Sequence, residues 1–166
     1  LVVGWRVGTE LQALTVYALR PDGPTELLRT DYVKYGIVDL DENQMEDLVV
    51  LRSLPDGEGC AEYYVWQDGG LVSRSMARVS MTMAELSQQG RLTQGTLRGG
   101  EPALFVTGVV ESAQTVTDIL AMRNGELTNI VLSAATGVST EVAMFRSLYP
   151  MDINGDGLTE VPKPAY

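Results

Sequence analysis

The chain contains no histidine. That absence excludes a Ser-His-Asp triad, a Cys-His pair and histidine-ligated zinc within it. Cysteine occurs once, as Cys60, so neither an intrachain disulfide nor a four-cysteine metal site can form. Cys60 follows Gly57, Glu58 and Gly59 and is expected as a small, half-buried residue near a loop-to-strand junction rather than a reactive thiol. Cationic side chains are scarce, 12 against 22 acidic ones, for a net charge of −10. Such a field repels phosphate backbones and anionic lipid, which argues against nucleic acid and membrane surfaces as partners. No run of about twenty apolar residues is present, so no membrane insertion is expected within the chain, and no signal-peptide pattern is visible.

What the chain does have is apolar material and concentrated carboxylates. Hydrophobic residues make up 45% of 166 residues, enough for one domain with a core or for a few stacked repeats. The acidic residues gather in two short loops. One carries Asp39, Asp41, Asn43 and Asp47 and runs into Leu48-Val-Val-Leu. The other carries Asp152, Asn154, Asp156 and Glu160 and runs into Val161-Pro162. Both place oxygen side chains at loop positions one, three, five and nine. Oxygens at alternate positions of a tight loop converge on a hard cation, calcium above all, with the backbone carbonyl at position seven, Met45 or Leu158, completing the set. A helical calcium hand needs an acidic residue at position twelve, where this chain has Val50 and Lys163. Pro162 and Pro164 further oppose a following helix, so both loops are expected as β-hairpin loops. Gly155 and Gly157 ease the turn of the second loop, whereas the first has Glu42 and Gln44 at those places. A metal bound there is expected to be structural, with Asx turns that cap backbone amides as the metal-free alternative.

The loops punctuate a repeat. Leu1-Val-Val-Gly matches Leu48-Val-Val-Leu, and Ala103-Leu-Phe-Val and Thr159-Glu-Val-Pro stand at similar places, a period of roughly fifty residues. Second strands are expected at residues 14–19, 62–67 and 118–122, each followed by a turn at Pro21-Asp22-Gly23, Asp68-Gly69-Gly70 or Asn124-Gly125. Third strands are expected at 26–29, 71–74 and 127–132, and fourth strands at 32–38 and 144–149. The pattern predicts an all-β, propeller-like array of about three four-stranded antiparallel units, 1–47, 48–102 and 103–160, with 161–166 starting a further strand, all within one repeat domain. Three units do not close a ring, and the chain opens on a stretch expected after an acidic loop, so further blades and a preceding segment are expected. A short helix is expected near 80–89, where Thr82 and Glu85 have capping-box spacing. The junction from Thr93 to Glu101 stands in the place of an acidic loop and is expected to bind no metal, since Glu101 is its one carboxylate.

The segments Tyr35-Gly-Ile-Val-Asp39 through Asp47-Leu-Val-Val, and Tyr149-Pro-Met-Asp152 through Glu160-Val161, resemble the FG-GAP and VCBS repeats found in integrin α-subunit heads. The literal Phe-Gly and Gly-Ala-Pro signature is absent, and the middle junction departs from the pattern. The resemblance implies four-stranded blades, calcium in the inter-strand loops and an extracellular or cell-surface setting, such as that of bacterial surface lipoproteins. It further implies a protein or glycan ligand.

Two other groups bear on function. Trp5, Tyr17, Tyr63, Tyr64 and Trp66 are expected to pack between units rather than form a sugar-stacking surface. Glu111, Asp118, Glu126 and Glu141 are expected as a solvated face rather than a catalytic carboxylate pair. The leading expectation is a non-enzymatic, calcium-stabilised binding or scaffold module. The alternatives are an accessory domain of a polysaccharide-acting hydrolase or lyase, and a structural repeat that self-associates through its end strands.

Overall fold

The computed structural model describes residues 1–7, 11–110, 114–134, 140, 142–143 and 149–163. It is all-β apart from one short helix, with three antiparallel sheets. The first contains β1 (Val2–Val7), β2 (Leu11–Arg20) and β3 (Gly23–Asp31) in that order. The second contains β4 (Lys34–Val38), β5 (Asp47–Ser53), β6 (Gly59–Gln67) and β7 (Gly70–Arg78). Helix α1 (Met83–Gln89) precedes the third, built from β8 (Arg91–Thr96), β9 (Pro102–Val109), β10 (Gln114–Arg123) and β11 (Glu126–Asn129). A two-residue strand, β12 (Val142–Ala143), pairs with the start of β10.

Local chemistry accounts for most of the boundaries. The β6–β7 and β10–β11 hairpins turn on Asp68-Gly69 and Asn124-Gly125, with both residues of each pair at positive φ. That geometry matches the right-handed twist of the paired strands, and the Asp-Gly and Asn-Gly sequences adopt it at low cost. Helix α1 opens with the expected capping box: Thr82 Oγ1 accepts from the Glu85 N–H, and the Glu85 carboxylate accepts from the Thr82 N–H. The helix is inserted between β7 and β8 and replaces no strand.

The second sheet is the middle layer. Along β5, Val49 and Leu51 face a core shared with Leu104, Val106 and Leu120 of the third sheet and Met83 and Leu86 of α1. Leu48 and Val50 point the other way, to Leu14 and Val16 of the first sheet. A strand buried on both faces reads as an unbroken apolar run, which is what Leu48-Val-Val-Leu is. Outside the third sheet, Ala103, Phe105 and Ala121 pack with Leu97, Ile119, Ile130 and Val161.

Three expectations need correction. The units drawn at 1–47, 48–102 and 103–160 end at the loops, yet the sheets are offset from them by one strand. An acidic loop is a hairpin, so β4 pairs across it with β5 and joins the sheet that follows. The junction from Thr93 to Glu101 is strand up to Thr96, with Gly95 inside β8. Only residues 97–101 turn, through Gly99 and Gly100 at positive φ. The third strand placed at 127–132 ends at Asn129, whose side-chain Oδ1 accepts from the N–H groups of Val131 and Leu132 and folds the chain into a turn. Most of the strand expected at 144–149 lies outside the described residues.

Candidate metal centres

Each acidic loop is closed by the same backbone pair. Val38 pairs with Asp47 across the first loop, and Met151 with Glu160 across the second, so position nine returns to the residue before position one. Within this closure the side chains repeat one hydrogen-bond pattern. Asp39 accepts from the N–H groups of Asn43 and Gln44, and Asp152 accepts from those of Asp156 and Gly157. Asp41 accepts from Asn43 N–H, and Asn154 from Asp156 N–H. Asn43 Oδ1 accepts from Met45 N–H, and Asp156 Oδ1 from Leu158 N–H. Positions three and five are joined by an amide-to-carboxylate bond in both loops, Asn43 to Asp41 and Asn154 to Asp156, with the two residue types exchanged. These are Asx turns, in which side-chain oxygens substitute for backbone carbonyls and curl the chain.

The curl requires left-handed backbone at positions four and six. In the second loop glycine takes both places, Gly155 at φ 78° and Gly157 at φ 85°. In the first loop Glu42 and Gln44 take them, at φ 57° and 71°. Ordinary residues hold this conformation at a cost of about 1–2 kcal/mol each, so the first loop keeps its shape against its local preference.

The curl gathers charge. One carboxylate oxygen from each of Asp39, Asp41 and Asp47 lies within 4.8 Å of the others, and the same is true of Asp152, Asp156 and Glu160. Oxygens held at about 2.3–2.6 Å from one calcium ion lie at most about 5 Å apart, so both sets have the spacing of a shared ion. The donor chemistry fits as well, being all hard oxygen. No lysine or arginine among the described residues forms an ion pair with either loop. Asp39, Asp41, Asn43, Asp47 and the carbonyl of Met45 would hold an ion in the first loop. Asp152, Asn154, Asp156, Glu160 and the carbonyl of Leu158 would hold one in the second.

The ninth positions differ. Asp47 is only 3% exposed, and its Oδ2 accepts a 2.5 Å hydrogen bond from the hydroxyl of Tyr63 on β6. Burial pushes the Asp47 carboxyl above its usual range against the Tyr63 hydrogen bond, and the Asp41 and Asp39 charges push the same way. Glu160 is half-buried, and its Oε2 accepts from Ile153 N–H inside its own loop. The second loop is tied to the third sheet instead through Thr159, whose N–H donates to Thr96 O and whose Oγ1 accepts from Thr96 N–H. The loop sequences do not reveal Tyr63. The hairpin register does hold a signal: Val49 faces Tyr63, which places that ring diagonal to Asp47 on one face of the sheet.

The other candidates separate. Tyr63 and Tyr64 are buried, as expected, but Trp5 and Trp66 are 51% and 43% exposed. Asp118 is not on a solvated face. It is fully buried and accepts from both the N–H and the hydroxyl of Ser80, anchoring the chain between β7 and α1. Burial raises its pKa against those hydrogen bonds. Glu126 is exposed, and Glu111 and Glu141 lie outside the described residues. Cys60 is fully buried at the start of β6, deeper than expected, and desolvation raises its thiol pKa. In the 97–101 turn, Glu101 pairs with Arg123. Among the described residues no helix is long and apolar enough to cross a membrane. No protein-family model, curated protein or solved structure matches the chain.

Proposed function

We propose that the chain is a calcium-stabilised, propeller-like β module of an extracellular or cell-surface protein, serving binding or scaffolding rather than catalysis. The observation that carries this reading is the duplicated loop. Two nine-residue segments far apart in sequence share a backbone closure, a hydrogen-bond pattern and a carboxylate cluster. Each hairpin concentrates negative charge that a divalent ion would neutralise. The propeller arrangement is supported by the repeated order of strands in the second and third sheets and by the burial of the second sheet on both faces.

Thermal melting in chelator and in calcium tests the proposal. A ligand bound only to the folded chain, at a hundred times its dissociation constant, adds about 2.7 kcal/mol. For a chain of this size that corresponds to a rise of about 5–10 °C. Superimposable melting curves in chelator and in millimolar calcium would contradict it.

A further inference from the structure

We infer that the corner between the outer edge of β1 and the exposed face of β4 is a docking groove for one added β-strand, of the same kind as β4 and β8 and antiparallel to β1. The inference rests on the repeat reading proposed above but not on calcium.

The second and third sheets each begin with a short strand ahead of a turn, β4 on the edge of β5 and β8 on the edge of β9. The first sheet ends at β1 among the described residues. Three relationships make β1 the counterpart of β5 and β9. Its opening Leu1-Val-Val repeats Leu48-Val-Val. At the opposite edges β7 meets β11, where Leu127 N–H donates to Ser75 Oγ and Asn129 Nδ2 donates to Arg78 O. β3 in turn lies against β7.

Among the described residues the outer edge of β1 has no strand partner, and its backbone is set to pair. Leu1 and Tyr17 exchange both backbone hydrogen bonds, so the alternation of an antiparallel ladder turns the N–H groups of Val2, Gly4 and Arg6 away from β2.

The face of β4 supplies the second observation. β8 lies on β4: a Cβ on Gly36 would stand 3.3 Å from Leu92 Cδ2, and Gln94 Nε2 donates to Ile37 O. Leu92 and Gln94 pair with Val106 and Leu104, which face the second sheet. Tyr35 and Ile37 pair with Val50 and Leu48, which face the first sheet. Tyr35 and Ile37 therefore occupy in β4 the places of Leu92 and Gln94 in β8, with no described strand beneath them, and they are 38% and 37% exposed. The two features adjoin. The Tyr35 ring is 5.8 Å from that of Tyr32, and the Tyr32 hydroxyl lies over Gly4 of β1.

Continuing the stack of β8 on β4 by one strand fixes the occupant's chemistry. It is an extended segment whose backbone pairs with Val2, Gly4 and Arg6, with a glycine facing Tyr35 as Gly36 faces Leu92.

The test uses a capped synthetic peptide of residues 31–38, which carries the β4 sequence and omits the acidic loop. Titrated into the full chain, it is expected to bind saturably at one per chain, in chelator as in calcium. A Gly36→Val peptide is expected to bind at least about tenfold more weakly. Arg6→Pro in the protein is expected to weaken the wild-type peptide to the same degree while keeping the melting temperature, because proline is tolerated where an edge N–H faces solvent. Tyr35→Ala is a second variant that leaves the β1 backbone untouched. No binding at about 2 mM peptide, or binding indifferent to both protein variants, would overturn the inference. A dimer of the chain that Arg6→Pro dissolves would also overturn it, by assigning the edge to a second copy. Failure of the calcium reading shows separately, in the melting curves.

Discussion

The hydroxyl of Tyr63 donates a 2.5 Å hydrogen bond to Oδ2 of Asp47, joining the closing carboxylate of the first acidic loop to the core between the second and third sheets. Tyr63→Phe removes the donor and leaves a buried carboxyl with one partner fewer. It is expected to cost about 1–3 kcal/mol, read as a lower denaturation midpoint, and to weaken metal binding at the first loop alone. Equal stability and unchanged metal affinity would show that the bond positions nothing.

The left-handed residues of the first loop give a prediction of opposite sign. Glu42→Gly and Gln44→Gly each relieve a backbone conformation that glycine adopts freely. Glycine's greater unfolded-state entropy offsets part of the gain, so each is expected to stabilise the chain by about 0.5–1 kcal/mol. Gly155→Ala and Gly157→Ala are expected to destabilise by about 1 kcal/mol, again by denaturant melts.

Asp118 gives the chain a pH dependence of definite sign. Its folded pKa is raised, so the folded chain binds the proton more tightly than the unfolded one. The associated stability is complete below the ordinary aspartate pKa and is lost as pH climbs through the raised value. Glu62 works the other way. Burial opposes its ionisation, but hydrogen bonds from Ser73, Arg52 and Tyr64 outweigh it and lower the pKa. Its contribution is present at neutral pH and is lost on acidification. Asp118→Asn is therefore expected to flatten the decline in melting temperature between acid and neutral pH, with Ser80 still hydrogen-bonded. An unchanged pH profile would remove Asp118 as its source.

Gly59 sits where the chain leading to α1 crosses β6. A Cβ there would lie 2.4 Å from the carbonyl oxygen of Met81, a backbone atom that cannot swing aside. Gly59→Ala is expected to cost about 1–3 kcal/mol. Gly57→Ala, whose Cβ would meet nothing within 4 Å, isolates the backbone term, since Gly57 has φ 87°.

Local signals made much of this fold legible. Asp68-Gly69 and Asn124-Gly125 announce their hairpins because the turn's φ values are a property of those residues. Thr82 and Glu85 announce the helix start, because both hydrogen bonds of the box lie within one turn. The clustering of the loop carboxylates is visible because alternate positions of a tight loop turn inward together, and one oxygen from each of Asp39, Asp41 and Asp47 lies within 4.8 Å of the others. What escaped is set between distant segments. Asp118 lies between Thr117 and Ile119, with no local sign of burial, and its partner Ser80 stands 38 residues earlier. Trp66 sits in an aromatic strand yet near its exposed end, where strand composition carries no depth. The grouping of strands into sheets turned on whether a hairpin loop ends a unit or lies within one, and backbone pairing across Val38 and Asp47 places it within.

The most direct test of the account is the stoichiometry of calcium binding by the metal-stripped chain, followed by calorimetric titration. Two ions per chain are expected. One is expected after Asp39→Asn with Asp41→Asn, and one after Asp152→Asn with Asp156→Asn. Absence of binding at millimolar calcium, or two ions retained in either double variant, would contradict the assignment of the loops as metal centres.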